Sequence, residues 1–365
     1  MMTFHKEPNM TAAPRILPPR PRGFTLVELM VAVTISLLLL VGLANLFLSN
    51  NQAQAEIEKG NRQVENGRYA MQLLSGDLRN AGFYAEFDPG VLTLPAALPD
   101  PCAVTVAAIK TALPLHVQGD DDSTALGCLS DVRDGTDVLV VRHTSTCALG
   151  EAGCDPASAG GPFFQASLCN NLDELGSGNV ERYYQVSTDN AALALHRRDC
   201  TATAGSGTVA AVRRLQTHIY FIANNNLARD GVPTLKRAEV LSTGASIAVR
   251  IVPLAEGIEN LQAEYGLDTD ANGVPDTYAA DPSTASGCAA ADCAVVNWSR
   301  AVAVKLHLLA RTTAPSAGYT DTKSYELGKL ADGNPHTIAA ANDHLKRHVF
   351  SALVALPNPA GRRTP

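Results

Sequence analysis

The chain has 365 residues, a formal net charge of −7, 18% charged residues and 46% hydrophobic residues. This leaves room for a membrane segment plus one large domain or two small ones, and it excludes a disordered chain and a multi-span membrane protein. Lys6, Arg15, Arg20 and Arg22 against Glu7 give residues 1–23 a charge of +3, which leaves −10 beyond them. That balance argues against a domain binding nucleic acid over its whole surface, although a local basic patch can still segregate on a fold.

Residues 1–23 are basic, and Pro14, Pro18, Pro19 and Pro21 block a helix there. They read as a removable leader, with Met2 and Met10 as alternative starts. Arg22 to Phe47 then reads RGFTLVELMVAVTISLLLLVGLANLF, and no charge falls between Glu28 and Glu56. About 20 apolar residues suffice to cross a bilayer. Glu28 is the exception inside the run. A carboxylate at membrane depth costs roughly 2.5 kcal/mol or more, which makes it a functional candidate; a glutamate reaching out to the interface is the plainer reading. A cleaved secretory signal fits poorly, because its apolar core is normally about 7–15 residues followed by small ones. This run is longer and ends in Asn50, Asn51 and Gln52. Basic residues before the span, and Glu56 and Glu58 after it, predict a cytoplasmic N-terminus and a periplasmic domain. All 8 cysteines lie beyond the span, from Cys102 to Cys293, the pattern of disulfides in an oxidising compartment.

Past the span, Ile57, Val64, Met71 and Leu78 recur at seven-residue steps with Ala53, Ala70 and Leu74 beside them. This predicts an amphipathic continuation of the same helix. Gly60, Gly67 and Gly76 each weaken it by about 1 kcal/mol, and Gly82 with Pro89 ends it. Unbroken from Phe24 to Arg79 it would run about 84 Å, so only its first half fits in lipid. The predicted divisions are a leader (1–23), a membrane helix (24–48), its amphipathic continuation (49–82) and a β-rich domain (83–365), with a cysteine-bearing insertion at about 95–205. Predicted strands are Asp137–Thr144, Arg182–Ser187, Ala192–Arg197, Arg214–Ile222, Arg237–Leu241, Ile258–Tyr265 and Val302–Ala310. In the last, Val302, Val304, Leu306 and Leu308 alternate with Lys305 and His307, so one face should be buried. Predicted loops are Pro89–Pro101, Cys147–Gly161, Cys200–Gly207 and Asp268–Cys293. Trp298, the only tryptophan, reads as core.

Asp268 to Asp276 reads D-T-D-A-N-G-V-P-D. Asp268, Asp270, Asn272, Val274 and Asp276 fall where an EF-hand loop places its first five calcium ligands, with Gly273 at the turn. The twelfth position is Ala279 where a bidentate Glu belongs, so Asp281 or a distant residue would have to complete the site. An Asx-rich turn explains the same residues without an ion. Disulfides are predicted for the close pairs Cys147–Cys154 and Cys288–Cys293, with Cys102–Cys128 and Cys169–Cys200 following by default. His344 and His348 sit four apart on a predicted short helix, but two ligands without a third read better as a solvated face. The sequence has no nucleophile elbow, phosphate loop or H-E-x-x-H motif. It offers no support for an enzyme and requires no cofactor; calcium is the one candidate ion.

Gly23 to Glu28, G-F-T-L-V-E, resembles the class III leader motif of the type IV pilin superfamily. The resemblance implies cleavage by prepilin peptidase between Gly23 and Phe24, N-methylation of Phe24, and pairing of Glu28 with the N-terminal amine of a neighbouring subunit. D-L-R-N-A-G-F at Asp77–Phe83, then Gly257–Gly266, Trp298–Thr312 and His348–Asn358, resemble in order the PilW family of minor pilins, whose plan J-type pseudopilins of type II secretion share. That family often ends in Leu-Arg-Asn, and here the chain has Leu356-Pro357-Asn358. The resemblance implies an α+β fold, with a long N-terminal helix packed on a pilin-like domain that carries long disulfide-bearing loops. It also implies a non-catalytic subunit that joins other minor pilins to prime pilus assembly at the tip, supporting twitching motility, adhesion or DNA uptake. Implied partners are the major pilin, other minor pilins, prepilin peptidase, the inner-membrane assembly platform and a tip adhesin. A J-type minor pseudopilin and a helix-anchored surface adhesin are the alternatives.

Overall fold

The computed structural model describes residues 23–121, 126–285 and 291–363. The chain divides into two compact units, 1–55 and 56–365. Helix α1, Leu26–Asn80, contributes to both. Its stretch in the first unit is exposed throughout and is long and apolar enough to cross a membrane. Among the described residues of that unit, nothing covers this stretch.

In the second unit α1 packs on a β-rich domain. Seven antiparallel strands form the larger sheet: β1 (Val117–Asp120), β2 (Val138–Thr144), β3 (Phe163–Ala166), β4 (Tyr184–Ser187), β5 (Val212–Ala223), β6 (Thr234–Thr243) and β7 (Ser246–Glu256). Four more, β8 (Ile258–Leu267), β9 (Thr277–Ala279), β10 (Ala301–Arg311) and β13 (Arg347–Ala355), pair in the order β13-β10-β8-β9. β11 (Tyr325–Lys329) and β12 (Pro335–Ile338) form a small hairpin. Among the described residues the unit also has short helices α2 (Val106–Ala112), α3 (Ala291–Ser299) and α4 (Pro357–Arg363), and four 3-10 turns.

Strand parity sorts the core. Leu139 and Val141 of β2, with Tyr220 and Ile222 of β5, pack with Ala70, Leu74 and Leu78 of α1 and with Trp298. Val138, Val140, Ile219 and Phe221 point the other way into a second cluster. Both faces of these strands are therefore buried there, and the sequence reads as short apolar runs, Val138–Val141 and Ile219–Ala223. β10 follows the same logic: Val302, Val304, Leu306 and Leu308 are buried, Lys305 and His307 half-buried.

The buried seam of α1 is Gln63, Gly67, Ala70, Leu74 and Leu78. It differs from the predicted stripe, because Ile57 is 63% exposed and Val64 and Met71 are only half-buried. Close approach of the backbone selects the seam. A Cβ on Gly67 would collide with the Phe350 ring, and Gln63 Nε2 donates to the carbonyls of Ala310 (2.7 Å) and Lys346 (3.0 Å). At the end of α1, Gly82 takes a φ of +73°, the left-handed conformation that glycine adopts freely. The last carbonyls find partners in α4: Asn358 Nδ2 donates to Ala81 (3.2 Å) and Arg79 (3.3 Å), and Arg362 to Gly82 (2.7 Å).

Two predicted elements change. Ala192–Arg197 is not a strand; only an isolated bridge from His196 to Val209 remains. Leu193 and Leu195 are buried as the alternation requires, but side chains of neighbouring strands take the backbone. Gln165 Oε1 accepts from Leu195 N (2.8 Å), and Gln185 Oε1 from Ala194 N (3.1 Å). The helix predicted at His344–His348 is absent, because Arg347 to Ala355 pairs with β10 along its length. His344 Nδ1 lies 2.5 Å from the Tyr319 carbonyl, and His348 meets Phe350 edge-on, so the two do not form a metal pair. The predicted loop Asp268–Cys293 also contains β9 and the start of α3. Trp298 is core, with Nε1 donating to Ser283 Oγ (2.9 Å).

Arg347 opens β13 with a nearly buried guanidinium facing three carboxylates: Glu259 (2.6 Å), Asp321 (3.0 Å) and Asp343 (2.7 Å). Burial raises the Asp321 carboxyl, but bonds from Arg347, Tyr325 and Tyr319 outweigh it and hold it below its ordinary range. The hydrogen bond from Arg347 holds Asp343 down to about 2. Depressed carboxyls contribute stability that is complete above the unfolded value near 3.9 and lost as the pH falls through the folded value. The melting temperature should therefore fall between about pH 4 and pH 2. Arg347→Met should flatten that fall while costing about 3–5 kcal/mol at neutral pH, because Asp321 stays buried without its cation. In the seam, Leu74→Ala should cost about 2–5 kcal/mol in denaturant unfolding, and Ile57→Ala no more than about 0.5 kcal/mol.

Candidate functional site

Three groups of residues are candidates for functional chemistry. The first is the start of α1. Gly23 and Phe24 are exposed, and Thr25 is the residue before the helix. Thr25 N and Oγ1 both donate to Glu28 Oε2 at 2.9 Å, and Glu28 N donates back to Thr25 Oγ1 at 3.3 Å. This is a reciprocal capping box: the third helical residue bonds the cap backbone while the cap side chain bonds the third N–H. Glu28 thus has a local partner in the single chain, and its charge sits at the positive end of the helix dipole. The pattern T-x-x-E was legible in the sequence, although the expectations for Glu28 rested on the bilayer and on the pilin resemblance rather than on capping.

The second is the acidic loop after β8. Asp268, Asp270 and Asp276 bring one carboxylate oxygen each to within 4.8 Å of one another. Asp268 is buried; its Oδ1 accepts from Asn272 N (3.2 Å) and its Oδ2 from Gly273 N (2.9 Å). Asp276 Oδ2 accepts from Thr269 N and Oγ1 (2.7 Å each). Asn272 Oδ1 accepts from Val274 N (2.8 Å), and Arg363 Nη1 stands 3.8 Å from Asp268 Oδ2. The loop is therefore closed by Asx turns of its own and has a cation beside its buried carboxylate. Its hard oxygens are of the kind calcium takes, but Ala279 in β9 offers no twelfth-position carboxylate, and Asp281 Oδ1 accepts from Ser283 N (2.8 Å).

The third was not anticipated. Asp77, in the last turn of α1, lies against His143 of β2 and His218 of β5. Asp77 Oδ1 is 2.8 Å from His143 Nε2, and Oδ2 is 2.9 Å from both His218 Nδ1 and the Tyr220 hydroxyl. In the β2–β5 register Val141 faces His218 and His143 faces Gln216, which makes the two histidines diagonal neighbours on the helix-facing side. Burial works against the Asp77 charge, but His218 and His143 outweigh it and hold the carboxyl well below its usual range. These residues form the floor of a cleft of about 610 Å³ also lined by Tyr69, Gln72, Arg79, Arg237 and Glu239. Asp77 lies 66 and 141 residues from the two histidines, so no local motif announces the group. The available signal was polar residues at inward parity in otherwise apolar strands.

Disulfides join Cys102 to Cys128, Cys147 to Cys154 and Cys169 to Cys200. The expected Cys288–Cys293 pair involves Cys288, which lies outside the described residues.

Comparison with known proteins finds two family models. The prokaryotic N-terminal methylation motif matches residues 19–44, and the family described as Type IV Pilus-assembly protein W matches residues 219–358. The second match begins inside β5 and ends in α4. No curated protein matches the chain. A solved type IV-like pilin from Thermus thermophilus is 13% identical, with a TM-score of 0.35, over 82% of this chain and 97% of that one. The fold is type IV pilin-like and PilW-like over the matched parts, with a membrane-anchoring helix at its start, and this is a structural rather than a catalytic class.

Proposed function

We propose that this chain is a minor pilin of the type IV pilus, a subunit that joins other minor pilins to prime assembly and takes its place at the pilus tip. The observation that carries the reading is the order of the two family matches. A methylation motif covers the apolar start of α1, and a pilus-assembly family covers the C-terminal strands. The precursor is held in the inner membrane by α1, with its N-terminus cytoplasmic and its β domain periplasmic. Prepilin peptidase cuts between Gly23 and Phe24, Phe24 is N-methylated, and the helix moves from lipid into a bundle of neighbouring helices. There Glu28 exchanges its bond to the Thr25 backbone for the amine of an adjacent subunit. A desolvated carboxylate gains most when a full charge replaces a dipole, so correct docking is favoured over loose association. The β domain stays outside as the surface that other minor pilins, the major pilin and the assembly platform meet. Twitching motility, adhesion or DNA uptake then follow from the pilus rather than from this chain.

Mass spectrometry of the mature N-terminus should give methylated Phe24; any other start removes the reading. Glu28→Ala should leave cleavage intact and lower surface pilus number several-fold by electron microscopy. Deleting the domain should also lower pilus number. Normal pili with lost secretion would instead make the chain a type II secretion pseudopilin, and normal pili with lost attachment an anchored adhesin.

The acidic loop is read as an optional calcium site, on which assembly does not depend. Calcium would be held by Asp268, Asp270 and Asp276, with Asn272 and the Val274 carbonyl turned inward. Affinity should fall in the weak range of extracellular modules, about 0.1–1 mM, since the twelfth ligand is missing. Millimolar calcium should raise the melting temperature of the wild type and leave Asp270→Ala unchanged; an equal response in both would place any calcium elsewhere.

A further inference from the structure

The group at the floor of the cleft poses a problem of charge. His143 Nδ1 lies 2.9 Å from the carbonyl oxygen of Thr144, which can only accept, so Nδ1 carries the ring hydrogen. In a neutral imidazole that leaves Nε2 with a bare lone pair, aimed at Asp77 Oδ1 across 2.8 Å. An ionised carboxylate also only accepts. Two acceptors at this distance, on side chains of which His143 is 4% and Asp77 10% exposed, repel unless a cation lies between them. Either a second proton or a metal ion can fill that role.

We infer that Asp77, His143 and His218 form a binding site for a zinc-class divalent cation, open to the cleft at its remaining position. Several features fit a metal better than a chance contact. The three ligand atoms come from a helix end and two adjacent strands and lie within 4.8 Å of one another. Imidazole and carboxylate are the donors that zinc takes, with metal–ligand distances of about 2.0–2.2 Å. A tetrahedral ion would set neighbouring ligand atoms about 3.3 Å apart, so His143 and Asp77 need to separate by only about half an ångström. The Thr144 carbonyl on Nδ1 is the outer partner that metal-binding histidines characteristically have, since it fixes the tautomer that frees Nε2 for the metal. The Tyr220 hydroxyl, 2.9 Å from Asp77 Oδ2, orients the carboxylate in the same way. The cleft gives the ion a path in and room for a water or another ligand. The site is separate from the acidic loop, whose all-oxygen donors suit a harder ion. It is also independent of the pilus reading.

The test uses the full chain without a polyhistidine tag, purified in detergent, stripped with a chelator, loaded with zinc sulfate and dialysed. Elemental analysis should find about one zinc per chain, with a rise in melting temperature. Asp77→Asn and His218→Gln should each weaken binding by at least the roughly 10–100-fold that loss of an outer partner costs. Their fold is checked by circular dichroism without metal. A second measurement uses the wild type alone, so that the test does not depend on the variants folding. Cobalt in place of zinc should shift the His143 and His218 ring resonances paramagnetically. Wild type that retains no zinc above background, zinc retained equally by folded variants, or cobalt that leaves both rings unshifted would each overturn the inference and leave the pair bridged by a proton.

Discussion

The close contact between the second half of α1 and the sheets beneath it sets the terms for the rest of the domain. A helix approaches a sheet closely only where its side chains are small or find polar partners, and the seam supplies both: Gly67 under the Phe350 ring, and Gln63 reaching two strand carbonyls. Leu74 and Leu78 then fill the space over β2 and β5. Dispersion and apolar burial reward such contact only when no gap is left, so a glycine in mid-helix, costly by propensity, is favoured by packing. The ends of the seam are fixed by charge and by capping. Lys346 and Lys59 both reach Glu56 at 2.8 Å, and their hydrogen bonds hold its carboxyl down to about 2. At the other end Asn358 and Arg362 take the carbonyls that the helix leaves over.

That arrangement gives the C-terminal strand an unusual share of the work. β13 contributes Phe350 to the seam and Arg347 to the carboxylate cluster, and α4 beyond it caps α1. The last residues thus bind the second half of the helix, which ties it to the C-terminal part of the domain. The Leu356-Pro357-Asn358 ending, which departs from Leu-Arg-Asn in its middle residue, keeps the asparagine that makes the cap. Pro357 opens α4, where a missing N–H costs nothing.

Much of this was legible where one rule acted alone. β2, β5, β8 and β10 show apolar or alternating runs long enough to leave no competitor, and Gly82 ends α1 as its left-handed φ requires. Legibility failed where two periods coincide or where partners lie far off in sequence. His344 and His348 are four apart by accident of a turn followed by a strand, and R-H-V-F-S-A-L-V-A alternates as β13 only once β10 is known to lie beside it. Ala192–Arg197 had the correct faces but the wrong bonding, since Gln165 and Gln185 substitute side-chain amides for a neighbouring strand. The seven-residue stripe on α1 pointed to the right face, yet apolarity did not decide which residues are buried. Ile57 lies outside the contact and Gly67 at its tightest point.

Asp77 and Glu28 stand on one helix and meet related demands with different solutions: the fold draws Asp77 out of water, and the proposed membrane and filament surroundings would do the same to the exposed Glu28. Asp77 is supplied from within the fold: two imidazoles and a phenol converge on it. Glu28 has only the Thr25 backbone and hydroxyl, a cap that satisfies one oxygen with dipoles and leaves the charge itself uncompensated. A capped carboxylate is more tolerable than a bare one, which lets the helix start keep its shape in the single chain. It remains short of a counter-charge, which on the proposed function a neighbour's amine would supply. If the proposed docking is right, the cap would lower its driving force without abolishing it; in the single chain it fixes the direction in which the carboxylate is presented.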